Sequence, residues 1–175
     1  MDGGFARKLR MLVTMEWSIP MDVLYYWKNH AADVTAGRIG HLKSTAGKLK
    51  EFVDGFPDFL WVFGTPRGRR GEVQLLGKLR WADRSTAKFK PEPGHAYIYY
   101  DPNDLGSVIF RDGGVDSAVA ATNTWVRGHF PKMVAANFQG TTGQEALRGA
   151  ALNELEALSA AFGAQPFTSS AAIGM

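Results

Sequence analysis

The residues best suited to chemistry crowd one stretch of the chain. Residues 57–58 read Pro-Asp, and residues 72–74 read Glu-Val-Gln. Carboxylates in a Pro-Asp … Glu-x-Lys pattern hold Mg²⁺ for phosphodiester cleavage, because hard oxygen ligands suit a hard cation. Gln74 stands where that pattern has Lys, and Asp58 and Glu72 would start paired strands at opposite ends of a hairpin. A metal-dependent nuclease of PD-(D/E)xK type is therefore the alternative, not the first reading, since short motifs recur by chance. Between the carboxylates lie Arg67, Arg69 and Arg70, and after them Lys78, Arg80, Lys88 and Lys90. Clustered guanidinium and ammonium groups suit phosphate oxygens, so these seven residues are the candidate contacts to a nucleic-acid backbone.

Other chemistries find little support. Cys is absent, which removes disulfides, thiolate zinc sites and Cys nucleophiles. His30, His41, His95 and His129 have no metal-ligand spacing, and no HExxH, P-loop, GxGxxG or GxSxG occurs. Asp101 and Asp104 fall in a Pro-Asn turn, where Asp is common as a cap. No metal or other cofactor is expected. Five Trp and five Tyr can build a core. They can also stack unpaired bases, at about 1–3 kcal/mol each.

The basic stretch needs strands to position it. Residues 59–63, FLWVF, are apolar on both faces and predict a central strand. Gly64 to Pro66 end it, and a glycine-arginine loop turns into a second strand at 72–81. Alternation places Val73, Leu75, Leu79 and Trp81 on a core face, with Gln74, Leu76, Lys78 and Arg80 opposite. Residues 10–17 alternate as a first strand. Ser18 and Pro20 then open a helix with Val23, Tyr26, Trp27, His30 and Val34 at helical spacing. Thr45 caps a short helix carrying Leu49, Phe52 and Val53.

After the hairpin, 82–94 reads as a loop. Strands at 95–100 and 107–111 form a second hairpin. Asp116 or Ser117 caps a helix that ends near Gly128 and Pro131. Thr142 and Glu145, at capping-box spacing, start a last helix with Leu147, Ala151, Leu155, Leu158 and Phe162 on one face. The sum is an α+β domain at 1–163, a largely antiparallel twisted sheet or partial barrel flanked by helices, with a flexible tail at 164–175.

Composition agrees with that frame. At 175 residues the chain makes about one domain with a sizeable core. No run of about 18 apolar residues exists, so no membrane span is expected, and no secretory leader is read at the N-terminus. The expected location is cytoplasmic. The net charge of +3 is unevenly spread: residues 28–90 hold 13 Lys and Arg against 6 Asp and Glu, whereas 91–175 hold 4 against 8. Such asymmetry points to one face that meets polyanions.

The order of a first strand, a Trp17-Ser18-Ile19-Pro20 turn, two helices, the aromatic strand 59–63 and the strand ending at Trp81 resembles the PUA-like superfamily, in particular its EVE and YTH type domains. The likeness covers residues 10–84. It implies a non-enzymatic domain that binds DNA or RNA and takes a modified base, flipped from the strand, beside the end of the first strand. On that resemblance Trp17, Ser18 and Trp61 line the pocket. Our reading of the residues adds His95 as a polar contact to the base edge. A third possibility is a protein–protein module whose basic face keeps it soluble. The sequence is silent on oligomeric state.

Overall fold

The structure, a computed structural model, describes residues 19–85 and 88–168. The strand expected at 10–17, with Trp17 and Ser18 at its end, lies outside the described residues. The observed elements are β1 (Met21–Tyr26), α1 (His30–Thr35), β2 (His41–Ser44), α2 (Ala46–Asp54), β3 (Phe59–Gly64) and β4 (Gln74–Ala82). They continue with β5 (Ala96–Asp101), β6 (Val108–Phe110), α3 (Asp116–His129), α4 (Pro131–Ala135), β7 (Gln144–Arg148), α5 (Gly149–Ser159) and β8 (Ala164–Pro166). The strands form one sheet in the order β2-β5-β4-β3-β1-β7, with β6 on β4 and β8 on β6. Among the described pairs only β1 and β3 run parallel. The chain is thus a mixed α+β fold with a largely antiparallel sheet.

The aromatic strand behaves as its composition predicts. β3 lies between β4 and β1 and is buried on both faces. Leu60 and Val62 enter one apolar cluster with Val23, Leu42, Ile98, Tyr100 and Phe52 of α2. Trp61 and Phe63 enter the other, beneath α3 and α5, with Trp125, Val126, Leu152 and Leu155. Phe63 and Trp125 stack with ring centroids 5.8 Å apart. Two cores on two faces explain why this strand has no polar side.

The simple alternation expected of β4 does not hold. The register steps from Val62↔Gly77 to Phe63↔Leu75, so Leu76 is an extra residue in a β-bulge. A bulge flips the faces beyond it. Val73 and Leu75 therefore pack with Trp61, whereas Leu76, Leu79 and Trp81 belong with Leu60 and Val62. Gly77 suits this place, because a Cβ there would lie 2.6 Å from the Val108 carbonyl oxygen.

Four other expectations are corrected. The helix expected from Pro20 to Val34 is strand β1 followed by the short α1. Its apolar residues fill nearly every position from Met21 to Trp27, so helical spacing is met without being diagnostic, and β1 finds ladder partners in β3 and β7. The second hairpin does not form: β5 pairs with residues 80–82 of β4 and β6 with residues 77–78. The last helix starts at Gly149, because residues 144–148 are strand β7 on β1. The chain also does not fall loose at 164: β8 pairs with β6, and Phe167 is buried against Tyr100 at 5.9 Å. The short helix capped by Thr45 stands as expected, with the Thr45 hydroxyl accepting from the Lys48 N–H.

The ordered end carries a test. Phe167→Leu should lower stability by about 1 kcal/mol, the usual cost of an imperfect apolar swap in a core. Phe56→Leu, at a side chain 84% exposed, should change nothing measurable. Urea denaturation followed by Trp fluorescence separates the two. Equal midpoints would put Phe167 outside the core.

Candidate functional site

The basic hairpin is not one cationic surface. Arg69 is taken up by Glu72 and by Asp116 at 2.7 Å. Lys78 lies over the Phe59 and Trp61 rings, at 4.1 and 4.8 Å from their centroids. Arg80 lies over Phe59 at 4.2 Å and reaches Asp104 at 3.5 Å. Lys78 sits midway along β4, and Arg80 lies near its far end from the arginine loop, about 20 Å from Gln74 for six residues of strand. Arg67 and Arg70 are exposed at the loop. Lys88 and Lys90 are exposed on a segment held to β2 by Phe89, whose ring stacks on His41 at 3.6 Å.

The expected pocket residues also part company. Trp61 is 1% exposed and its Nε1–H donates to the Asp22 carboxylate at 2.8 Å, so it is a core residue with no face free for a base. Trp17 and Ser18 lie outside the described residues. His95 is exposed beside Glu92 at 3.4 Å and lines a cavity with Ser44, Thr45 and Ala46. The nuclease carboxylates stay apart: Asp58 precedes Phe59, which pairs with Arg80, while Glu72 sits beyond the other end of the ladder and is held by Arg69. No cluster of three metal-ligating side chains occurs among the described residues.

A different concavity draws several groups together. The sheet curls until its two end strands nearly meet. There the Ser44 hydroxyl of β2 donates to Gln144 Oε1 of β7 at 2.6 Å, and Lys48 reaches Glu145 at 3.3 Å. The Tyr25 hydroxyl crosses the same seam to donate to the Lys43 carbonyl at 2.8 Å. Burial, with Asp33 adding its charge, pushes this phenol up to about 12, so it remains a donor. The seam is bridged by side chains and not by a backbone ladder, which leaves a cleft.

That cleft has two chambers. One, of about 360 Å³, is lined by Tyr25, Tyr26, Lys28, Lys43, Gln144 and Phe138 among others. The second, of about 430 Å³, is lined by Tyr26, Phe138, Thr65, Arg70, Asn137 and Gln139 among others. Both are of ligand-pocket size. They meet at Tyr26 and Phe138, whose rings stack at 5.0 Å and 21°. The cavity holding His95 adjoins the first chamber through Ser44 and Thr45.

The backbone holds Phe138 in place at a cost. Asn137 and Phe138 have φ of 51° and 56°, a left-handed conformation that Asn tolerates and Phe disfavours. A Cβ on Gly143 would lie 2.7 Å from the Phe138 carbonyl oxygen, so this close approach needs glycine. Strain of this kind costs about 1–3 kcal/mol per residue and gathers at ligand sites.

The cations at the cleft are available. Lys28 and Arg70 have no ion-pair partner among the described residues, and Lys43 pairs only with Glu92 at 3.2 Å, both ends exposed. An exposed pair is worth about 0–1 kcal/mol and yields readily to a phosphate. Sequence reasoning places Tyr26 at helical spacing with other apolar residues and offers none of Lys43, Phe138 or Gln144 as a site residue. The available signal was the Tyr-Tyr-Trp run at the end of a strand followed directly by Lys28.

These features define an α+β domain with a two-chambered, aromatic and cationic cleft at the seam of a curled sheet. No family model matches the chain, nor does any characterised protein or solved structure.

Proposed function

We propose that this chain is a nucleic-acid-binding domain, and that it holds an unpaired segment across the seam cleft. The observation that carries this reading is the Tyr26–Phe138 aromatic pair, set between two chambers and flanked by Lys28, Lys43 and Arg70. Stacking rings bind any base through its π-face, and cations along the groove bind the backbone. The uneven charge of the chain favours the same partner. A base that enters the first chamber must leave its duplex, so single strands, mismatches and flipped modified bases are the substrates of choice. This is the activity implied by the PUA-like resemblance, at a site built from other residues.

Fluorescence anisotropy with labelled single strands and duplexes, modified and unmodified, tests it. Tyr26→Leu keeps apolar bulk and removes the stacking face. It should weaken single-strand binding about tenfold, within the range of one lost base stack. The slope of log K against log salt should stay as in the wild type, since no cation is lost. Unchanged affinity in a folded Tyr26→Leu protein would remove the cleft as the binding site.

A further inference from the structure

Resting on that reading of the cleft, we propose that Gln144 reads the edge of the bound base and selects bases that present an exocyclic carbonyl oxygen, thymine and uracil first. Gln144 opens β7 opposite Tyr25 of β1, and its side chain lines the first chamber. The residue is 6% exposed. Its Oε1 is occupied by the Ser44 hydroxyl at 2.6 Å, a far better bond than that hydroxyl's alternative at 3.5 Å to the Thr45 carbonyl. The pairing sets the amide's orientation. Nε2 then has no hydrogen-bond partner among the described residues, although it is not sealed off as are His41 Nδ1, the Tyr100 hydroxyl and the Thr122 hydroxyl.

A nearly buried amide with one end fixed and a free donor at a cavity is a built recognition element. An unmet buried donor is costly, so a ligand that supplies an acceptor is preferred over one that does not. Thymine and uracil carry two exocyclic carbonyl oxygens and no amino group. Adenine carries an amino group and no carbonyl. A donor at the floor bonds a carbonyl of the first pair directly; adenine meets it only through a ring nitrogen, and Oε1, engaged by Ser44, is then not free to accept the adenine amino group. Oligo-dA stacks on itself and oligo-dT hardly does, so a preference for dT counts for Gln144 only where the loss of its donor abolishes that preference.

The test compares single strands of oligo-dT and oligo-dA, about ten nucleotides long, near the site size of one small binding domain. Wild type should favour oligo-dT about tenfold, as a met against an unmet hydrogen bond implies. Gln144→Met keeps the bulk and removes the donor, and should bring the two affinities together. Gln144→Glu offers only acceptors, and should invert the preference. A readout free of any folding defect is the Gln144 side-chain NH₂ signal of the wild-type protein in ¹H–¹⁵N spectra. It should shift on adding oligo-dT and stay in place with oligo-dA. Single strands that bind with the expected salt dependence, but with equal dT and dA affinity or a ratio unmoved in both variants, overturn the role of Gln144 alone. A preference for oligo-dA overturns it too. Failure of every strand to bind overturns the nucleic-acid reading and this inference with it.

Discussion

Asp22→Ala is expected to cost about 2–6 kcal/mol, because two buried donors lose their acceptor at about 1–3 kcal/mol each. Asp22 lies on β1 and is 4% exposed. One carboxylate oxygen accepts the Phe59 N–H at 3.0 Å, and the other accepts Trp61 Nε1–H at 2.8 Å. It thus ties the central strand to its parallel neighbour and orients the indole that packs on Phe110 at 6.2 Å. Burial pushes the carboxyl above its ordinary range, against the pull of those two hydrogen bonds and of Lys78. A raised folded pKa means that the folded state holds a proton that the unfolded chain releases. The stabilisation from that proton is full below the unfolded value of 3.8 and is lost as pH rises through the folded pKa. The stability gap between wild type and Asp22→Ala should therefore widen as the pH falls towards 3.8. Urea titrations at several pH values measure it. A loss under about 1 kcal/mol, less than one unmet donor, would show that Asp22 is not the tie described, whereas a gap that narrows in acid would show that its hydrogen bonds outweigh its burial.

How much of this was legible in the chain depends on where the information sits. β3 was readable because five consecutive apolar residues leave no solvent face, and its two cores follow from that. The Thr45 cap was readable because a cap is local chemistry. β1 was not, because a strand buried on both sides and the core stripe of a helix can share one short apolar run. β7 was hidden in the same way: Thr142 and Glu145 sit at capping-box spacing, but the β1 edge offers residues 144–148 a ladder, and the helix waits until Gly149. The bulge at Leu76 is a register event between two strands, and no single-strand pattern reports it.

The cleft was the least legible part. Tyr26, Lys43, Phe138 and Gln144 come from β1, β2, the turn after α4 and β7, more than a hundred residues apart at the extremes. They meet because the curled sheet brings its end strands within one side-chain hydrogen bond. The basic loop drew notice as a run of charges, but its arginines differ in what the fold leaves them. Arg69 is bound by two carboxylates, whereas Arg70 faces a chamber. Charge in a sequence predicts a polyanion surface only after intramolecular partners are subtracted.

That subtraction leads to the largest expected effect on binding. Lys28, Lys43 and Arg70 line the two chambers, and none is held by a buried partner. For single strands, log K falls with log salt at a slope of about 0.7 for each neutralised phosphate. Replacing all three by Gln should therefore flatten the slope by about 2 and weaken binding on the order of a hundredfold at low salt. Near 1 M salt the variant and the wild type should converge, because counterion release then contributes little. The stacking surface of Tyr26 and Phe138 remains, so residual affinity should still respond to Tyr26→Leu. The companion variant Arg69→Ala removes a cation already bound to Glu72 and Asp116, and should leave the slope as it was. Anisotropy titrations at four or five salt concentrations give both slopes. A full slope in the triple variant together with a reduced one in Arg69→Ala would move the phosphate path off the seam and back to the arginine loop.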